Sequence, residues 1–266
     1  MNLGSTCLTA LLAAQLGAAV PAQAEECCAV VELRQYITYP GKRDDLATLF
    51  EREFIESQEE VGIRVLGQFR DFNDPHRFTW LRGFSAMPAR KQALTEFYTG
   101  PLWKRWKSAA NATLYDNDDV LLLKPASAGS GFALDAVKRP GKNVTAPQAG
   151  LIVATLYFFK QPVSAEFISG FNADLAPIFQ RSGARIIGRF VSEKSVNTFA
   201  QLPVREDVNV FVWLARFADR ADYDSYSARL AQDTRWRDHL FAALYNSLAE
   251  APRTLMLEPT ARSLIR

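Results

Sequence analysis

Polar side chains at alternate positions of two strand-like stretches are the residues of this chain whose spacing could do chemistry. Glu32, Arg34, Tyr36 and Thr38 fall at every second position of residues 31–39, which read as a β-strand, so they share one face of it. Phe78, Trp80, Arg82 and Phe84 do the same within residues 77–84. A guanidinium buried by a sheet is costly unless it is paired, solvated or ligand-bound. The plainer reading is that Glu32 pairs with an arginine and fixes the fold. The sharper one is that Arg34, Tyr36, Trp80 and Arg82 surround a bound molecule.

The remaining candidates carry less. His76, in NDPHR, reads as a residue of a solvated hairpin tip. His239 sits on a helix one turn from Arg235 and Trp236, as a candidate base or haem ligand. The two belong to distant elements, which argues against a His-based metal site. HxH, HExxH, GxSxG, Walker A and GxGxxG patterns are all missing. Hydride transfer, acyl transfer and nucleotide binding therefore lose ground, and no metal or cofactor is called for. Glu51, Glu53, Glu56, Glu59 and Glu60 read as the solvated face of a helix with Arg52 interspersed. Glu53, beside the apolar stripe, is where a general base could hide.

The elements that must position these residues follow from periodicity. After the first strand, Pro40-Gly41 stops the chain and Asp44-Asp45 open a helix. Leu46, Leu49, Phe50, Phe54 and Ser57 mark its buried stripe, and it ends near Gly62. Strands follow at 64–72 and 77–84, joined by Asn73-Asp74-Pro75. A helical stretch at 88–110 is broken at Gly100-Pro101, and a strand at 120–124 ends on Pro125. The order β-α-β-β-α-β is the ferredoxin-like arrangement.

The pattern then begins again. Tyr36 and Tyr157 lie 121 residues apart, as do Gly67 and Gly188; Trp80 and Trp213 lie 133 apart, as do Trp103 and Trp236. Pro125 and Pro259 close the copies 134 apart. One offset followed by a second is what two copies with one insertion give. The roughly 12 extra residues fall in the polar stretch 192–207, expected to be an elongated hairpin. Expected boundaries are a domain at 30–126, a linker at 127–150 and a divergent second domain at 151–260. In the linker, Phe132, Leu134 and Val137 are available to dock on a neighbouring surface. Strands such as 151–159 (LIVATLYFF) are apolar on both faces, so helices cover one face and the sheet of the other copy covers the second.

Residues 30–51 (VVELRQYITYPGKRDDLATLFE), 78–84 (FTWLRGF) and 103–125 (WKRWKSAANATLYDNDDVLLLKP) resemble the NIPSNAP family of the dimeric α/β-barrel class. The resemblance covers nearly all of the first copy. The second keeps the strand pattern, Trp213, Trp236 and Pro259 but has no ELRxY. It implies an α+β fold of two tandem ferredoxin-like domains closed into a pseudo-dimeric barrel. The family mostly lacks an assigned activity, so no reaction comes with it. The wider superfamily contains cofactor-free monooxygenases, haem-binding enzymes and simple binders.

Charges nearly cancel, with 31 basic against 29 acidic residues, and no basic stripe suggests nucleic acid. Residues 1–24 carry no charge, have an apolar centre and end in AQA before Glu25, a signal-peptide pattern without the usual basic start. The expectation is a periplasmic or secreted bacterial protein with no membrane span after cleavage, or a cytoplasmic one if the leader is a mis-called start. Asn111 and Asn143 begin Asn-x-Thr patterns that a bacterial chain would carry by chance. Cys7 lies in the leader; the adjacent Cys27 and Cys28 could close a strained vicinal disulfide or bind metal with outside help, but read as terminal thiols, with an intermolecular disulfide as the sharper alternative.

Two functions compete. One is binding of a small apolar or amphipathic molecule, or a protein partner, in or on the barrel. The other is a cofactor-independent or haem-dependent monooxygenase using the barrel cavity. Where the first copy has Glu32, Arg34 and Arg82, the second has Val153, Thr155 and Ala215. That asymmetry predicts one cavity, polar towards the first copy and lined by Arg34, Tyr36, Trp80 and Arg82.

Overall fold

Successive residues of strand β1 (Val30–Thr38) serve two different cores. Val31 and Leu33 join an apolar cluster to which all eight strands contribute, whereas Val30 and Tyr36 join one shared with helices. The computed structural model, which describes residues 28–134 and 136–266, shows the architecture that requires this. The leader 1–24, Cys7 and Cys27 lie outside the described residues.

Helix α1 continues from β1 through Arg43–Leu49, a π-helical turn Phe50–Phe54 and Ile55–Glu59. Strands β2 (Arg64–Asp71) and β3 (Arg77–Phe84), helices α2 (Met87–Thr99) and α3 (Pro101–Asn111), and β4 (Leu114–Pro125) complete the first unit. Pro101 starts α3 after Gly100 ends α2, as the sequence predicts. The second unit comprises β5 (Leu151–Phe159), α4 (Ala165–Gly170, a π-helical turn Phe171–Leu175, and Ala176–Arg181), β6 (Arg185–Ser192) and β7 (Asn209–Phe217). It ends with α5 (Arg220–Gln232), α6 (a π-helical Trp236–Leu240 followed by Phe241–Ser247) and β8 (Arg253–Pro259).

The eight strands close into one antiparallel barrel in the order β1-β3-β2-β8-β5-β7-β6-β4. Each unit alone gives the order 4-1-3-2 of a ferredoxin-like sheet. Two short seams join them: Phe69, Arg70 and Asp71 of β2 pair with β8, and Leu123, Lys124 and Pro125 of β4 pair with β6. The fold is therefore the expected pseudo-dimeric α/β barrel. Leu33, Leu66, Leu81, Leu121, Leu156 and Leu214 are among the side chains that fill its interior. Helices of each unit cover its outer face over a separate core.

The repeat is visible in local backbone detail. Both β2 and β6 shift register just before a glycine, Gly67 and Gly188. A Cβ at Gly67 would sit 2.5 Å from the Phe69 ring, and one at Gly188 2.7 Å from the Phe190 ring. Neither buried ring can yield cheaply, so the LGQF and IGRF signatures are packing requirements at a bulge.

Two expectations change, and one is met. Residues 193–208 form an irregular loop and not an elongated hairpin; Glu193 N–H donates to Leu122 O and Arg205 N–H to Val120 O, which runs the loop along β4. Phe132 and Leu134 of the linker do dock, into the barrel core. Cys28 is disulfide-bonded and packs on the barrel core, so it is not a loose terminal thiol.

Candidate functional site

Antiparallel pairing of β1 with β3 sets Glu32 opposite Arg82, Arg34 opposite Trp80 and Tyr36 opposite Phe78. All point away from the barrel interior, towards α1 and α2. This corrects the expected position: the polar face is on the outside of the barrel wall, under the helices, and the interior is filled. Helix α2 adds Arg90, which occupies the buried stripe Arg90, Ala93, Leu94, Phe97.

One carboxylate is shared by three guanidiniums, and all four side chains are 0% exposed. Glu32 Oε2 accepts from Arg34 Nη1 at 2.6 Å and Arg82 Nε at 2.8 Å, while Oε1 accepts from Arg90 Nε at 2.6 Å. Burial alone would push the Glu32 carboxyl up, but Arg82, Arg34 and Arg90 together outweigh it and hold the carboxyl well below the usual carboxylate range. Glu32 is therefore ionised, and the cluster carries three positive charges against one negative. Aromatic faces take part of the excess: the Arg34 guanidinium carbon lies 5.4 Å from the Tyr36 ring centre and 5.5 Å from that of Trp80, and Arg82 lies 5.1 Å from Trp80. Arg34, Arg82 and Arg90 each still have a buried Nη2 without an acceptor.

The arginines reach outward to the wall of a cavity. Arg34 Nε donates to the Tyr36 hydroxyl at 2.8 Å. Arg82 Nη1 donates to Gln58 Oε1 at 3.3 Å, with a longer contact of 3.4 Å to the Tyr98 hydroxyl. Tyr36, Gln58 and Tyr98 all line a cavity of about 330 Å³ between the outer face of the first sheet and its helices. Trp80, Phe50, Phe54, Phe97 and Trp103 make its aromatic body. Trp80 is 2% exposed, and its indole N–H has no acceptor among the described residues.

The cover comes from the second unit. Phe199, Gln201 and Leu202 of the 193–208 loop line the cavity, and the Phe199 ring lies 5.8 Å from that of Tyr98. Asn197 in the same loop accepts from Arg90 Nη1 at 3.0 Å through its side-chain oxygen. The inserted residues of one repeat thus partly cover the cavity of the other and are tied to its buried charge cluster.

Of the four residues expected at a site, Tyr36 and Trp80 line the cavity. Arg34 and Arg82 stand one layer behind it, holding its polar wall. Arg90, Gln58, Tyr98 and Asn197 are additions. Arg90 had a readable signal, an arginine in register with the apolar stripe of α2. Gln58 was hidden by the π-helical turn, which inserts one residue and rotates Gln58, not Ser57, into the core. Glu53 does not reach the cavity; its Oε1 accepts from Arg52 Nε at 2.7 Å. Glu51, Glu56 and Glu59 are more than a solvated face: they bind Arg262 near the C-terminus and Arg139 of the linker. His76 and His239 line neither this cavity nor its counterpart.

That counterpart, of about 210 Å³, lies over the second sheet. Tyr157, Trp213 and Trp236 stand in it where Tyr36, Trp80 and Trp103 stand in the first, beside Phe179. Val153 and Thr155 replace Glu32 and Arg34, and no lining residue is charged. Each unit thus has a cavity of its own between its sheet and its helices, and the expectation of one polarised cavity for both is not met.

No family model and no curated protein matches the chain. Among solved structures, an anthrone oxidase-like protein is 14% identical, with 89% of this chain and 94% of that one aligned at a TM-score of 0.53. The fold is that of the dimeric α/β barrels. A monooxygenase candidate from Fusobacterium nucleatum is 12% identical over 87% of this chain and 92% of its own, at a TM-score of 0.48. A NIPSNAP-like domain protein from Burkholderia xenovorans is 25% identical over 38% of this chain and 87% of its own, at a TM-score of 0.35. The NIPSNAP-family structures cover 37–44% of this chain.

Proposed function

We propose that the first-unit cavity binds a small amphipathic molecule with an aromatic body. The observation that carries this is the division of its wall. Phe50, Phe54, Phe97 and Trp103 offer an apolar slot, while Tyr36, Gln58 and Tyr98 present polar atoms held in place by buried arginines. A cavity of about 330 Å³ falls in the size range of small-molecule sites. Binding is favoured over bond-making because no carboxylate, histidine, cysteine or lysine lines it. The similarity to barrels described as oxidase-like or monooxygenase candidates keeps small aromatic compounds the natural first probes.

Filling the cavity tests this. Ala110 lines it and is buried, so Ala110→Phe places a ring in the space at a strain of about 1–3 kcal/mol. The unmodified protein from its native host is expected to release an organic compound on denaturation and extraction, detected by mass spectrometry. The folded variant is expected to release none. Equal recovery from both would place the ligand elsewhere.

A further inference from the structure

The charge count of the Glu32 cluster points to the chemical class of the ligand. Resting on the cavity being a ligand site, we infer that it holds its ligand as an oxyanion: a small aromatic molecule bearing a phenolic, enolic or carboxylic oxygen, bound ionised.

Three observations converge. First, among the described residues Glu32 alone faces Arg34, Arg82 and Arg90, leaving two buried positive charges uncompensated by any carboxylate in contact there. Excess charge of one sign in a low-dielectric site is costly, and an anion placed nearby relieves it. Second, the wall between the arginines and the cavity is made of polarised donors. A tyrosine hydroxyl has one proton to give and lone pairs to accept with. Tyr36 spends its acceptor side on Arg34 Nε at 2.8 Å, and no protein acceptor takes its proton. Tyr98 is arranged the same way towards Arg82 Nη1, at 3.4 Å. Burial keeps the Tyr36 phenol above its ordinary range despite the opposing pull of Arg34, so Tyr36 remains protonated and able to donate. Third, Trp80 in the same wall has a buried indole N–H without an acceptor. Two hydroxyls and an indole N–H, backed by positive charge in a partly covered space, make a preorganised oxyanion-holding wall. The second-unit cavity has the tyrosine and the tryptophan, but Val153, Thr155 and Ala215 stand where Glu32, Arg34 and Arg82 stand behind the first, so those charges are missing there.

The experiment uses the full chain and two dyes of one shape, para-nitrophenol and para-nitroanisole. The first is yellow as phenolate and colourless as phenol; the second has no acidic hydrogen. Titrated below the free dye's ionisation, the protein is expected to turn para-nitrophenol yellow. The bound dye's apparent pKa should fall by at least about one unit, a roughly tenfold tighter hold on phenolate than on phenol. Tyr36→Phe, with Tyr98→Phe as a second variant, should abolish most of that fall while para-nitroanisole still binds. If the anisole binds and the phenol binds colourless, the cavity reading stands and the oxyanion inference fails. If neither dye binds, both fail. A yellow complex undiminished in the Phe variants also overturns the inference, because the anion is then held elsewhere. Should a variant not fold, the comparison of the two dyes on the unmodified chain still decides.

Discussion

Glu32 is the residue on which the buried cluster depends. Without it, Arg34, Arg82 and Arg90 would be left as three guanidiniums in a fully buried space. Removing one partner of such an arrangement costs about 3–5 kcal/mol, so Glu32→Gln should lower the unfolding free energy by that order in a denaturant titration. The pH dependence has a definite sign. The folded carboxyl is held below its ordinary value, so on acidification the unfolded chain takes up this proton first. Stability contributed by Glu32 is complete above the ordinary carboxylate pKa and declines as pH falls below it towards the depressed folded value. The acid limb of a stability-against-pH curve should therefore be shallower for Glu32→Gln than for the unmodified protein. Equal slopes would mean that the Glu32 carboxyl titrates alike in the folded and unfolded chain, with no net help from the arginines.

At the scale of elements, the 193–208 loop and the π-helical turn decide how the site is assembled. Asn197 joins the loop to Arg90, donates from Nδ2 to Leu202 O and accepts from Phe199 N–H. Asn197→Ala removes all three bonds while leaving the barrel core untouched. Loop opening should become easier by about 1–3 kcal/mol, read as faster amide exchange confined to the loop and faster ligand release. Unchanged exchange there would show that the backbone bonds to β4 and the packing of Phe199, Leu202 and Val204 suffice to hold the loop. The sequence reveals that this insertion exists, since the spacing of repeat partners jumps after Gly188, but not where it goes. Its docking rests on side chains contributed by the other unit. The π-helical turn was hidden for a different reason: the apolar residues Phe50, Phe54 and Ile55 fit an ordinary helical stripe until the extra residue moves Gln58 inward.

The whole molecule is a duplication whose halves share a fold and differ in polarity. Strand order, the paired glycines and closure into one barrel were legible because local pattern fixes them. Which face of β1 looks inward was not. Val31 and Leu33 are apolar on one side, Val30 and Tyr36 are largely so on the other, and alternation alone cannot rank two buried faces. Placing Glu32, Arg34 and Arg82 outward moves the site from the barrel interior to the space under the helices. It also gives each unit its own cavity, only the first being backed by charge. The most direct test is a crystal structure of the full chain with para-nitroanisole, a neutral probe that assumes nothing about ionisation. The account predicts the probe in the first-unit cavity, against Tyr36, Trp80 and Trp103 and beneath Phe199. A probe seated inside the barrel, or in the second-unit cavity with the first left empty, would contradict it.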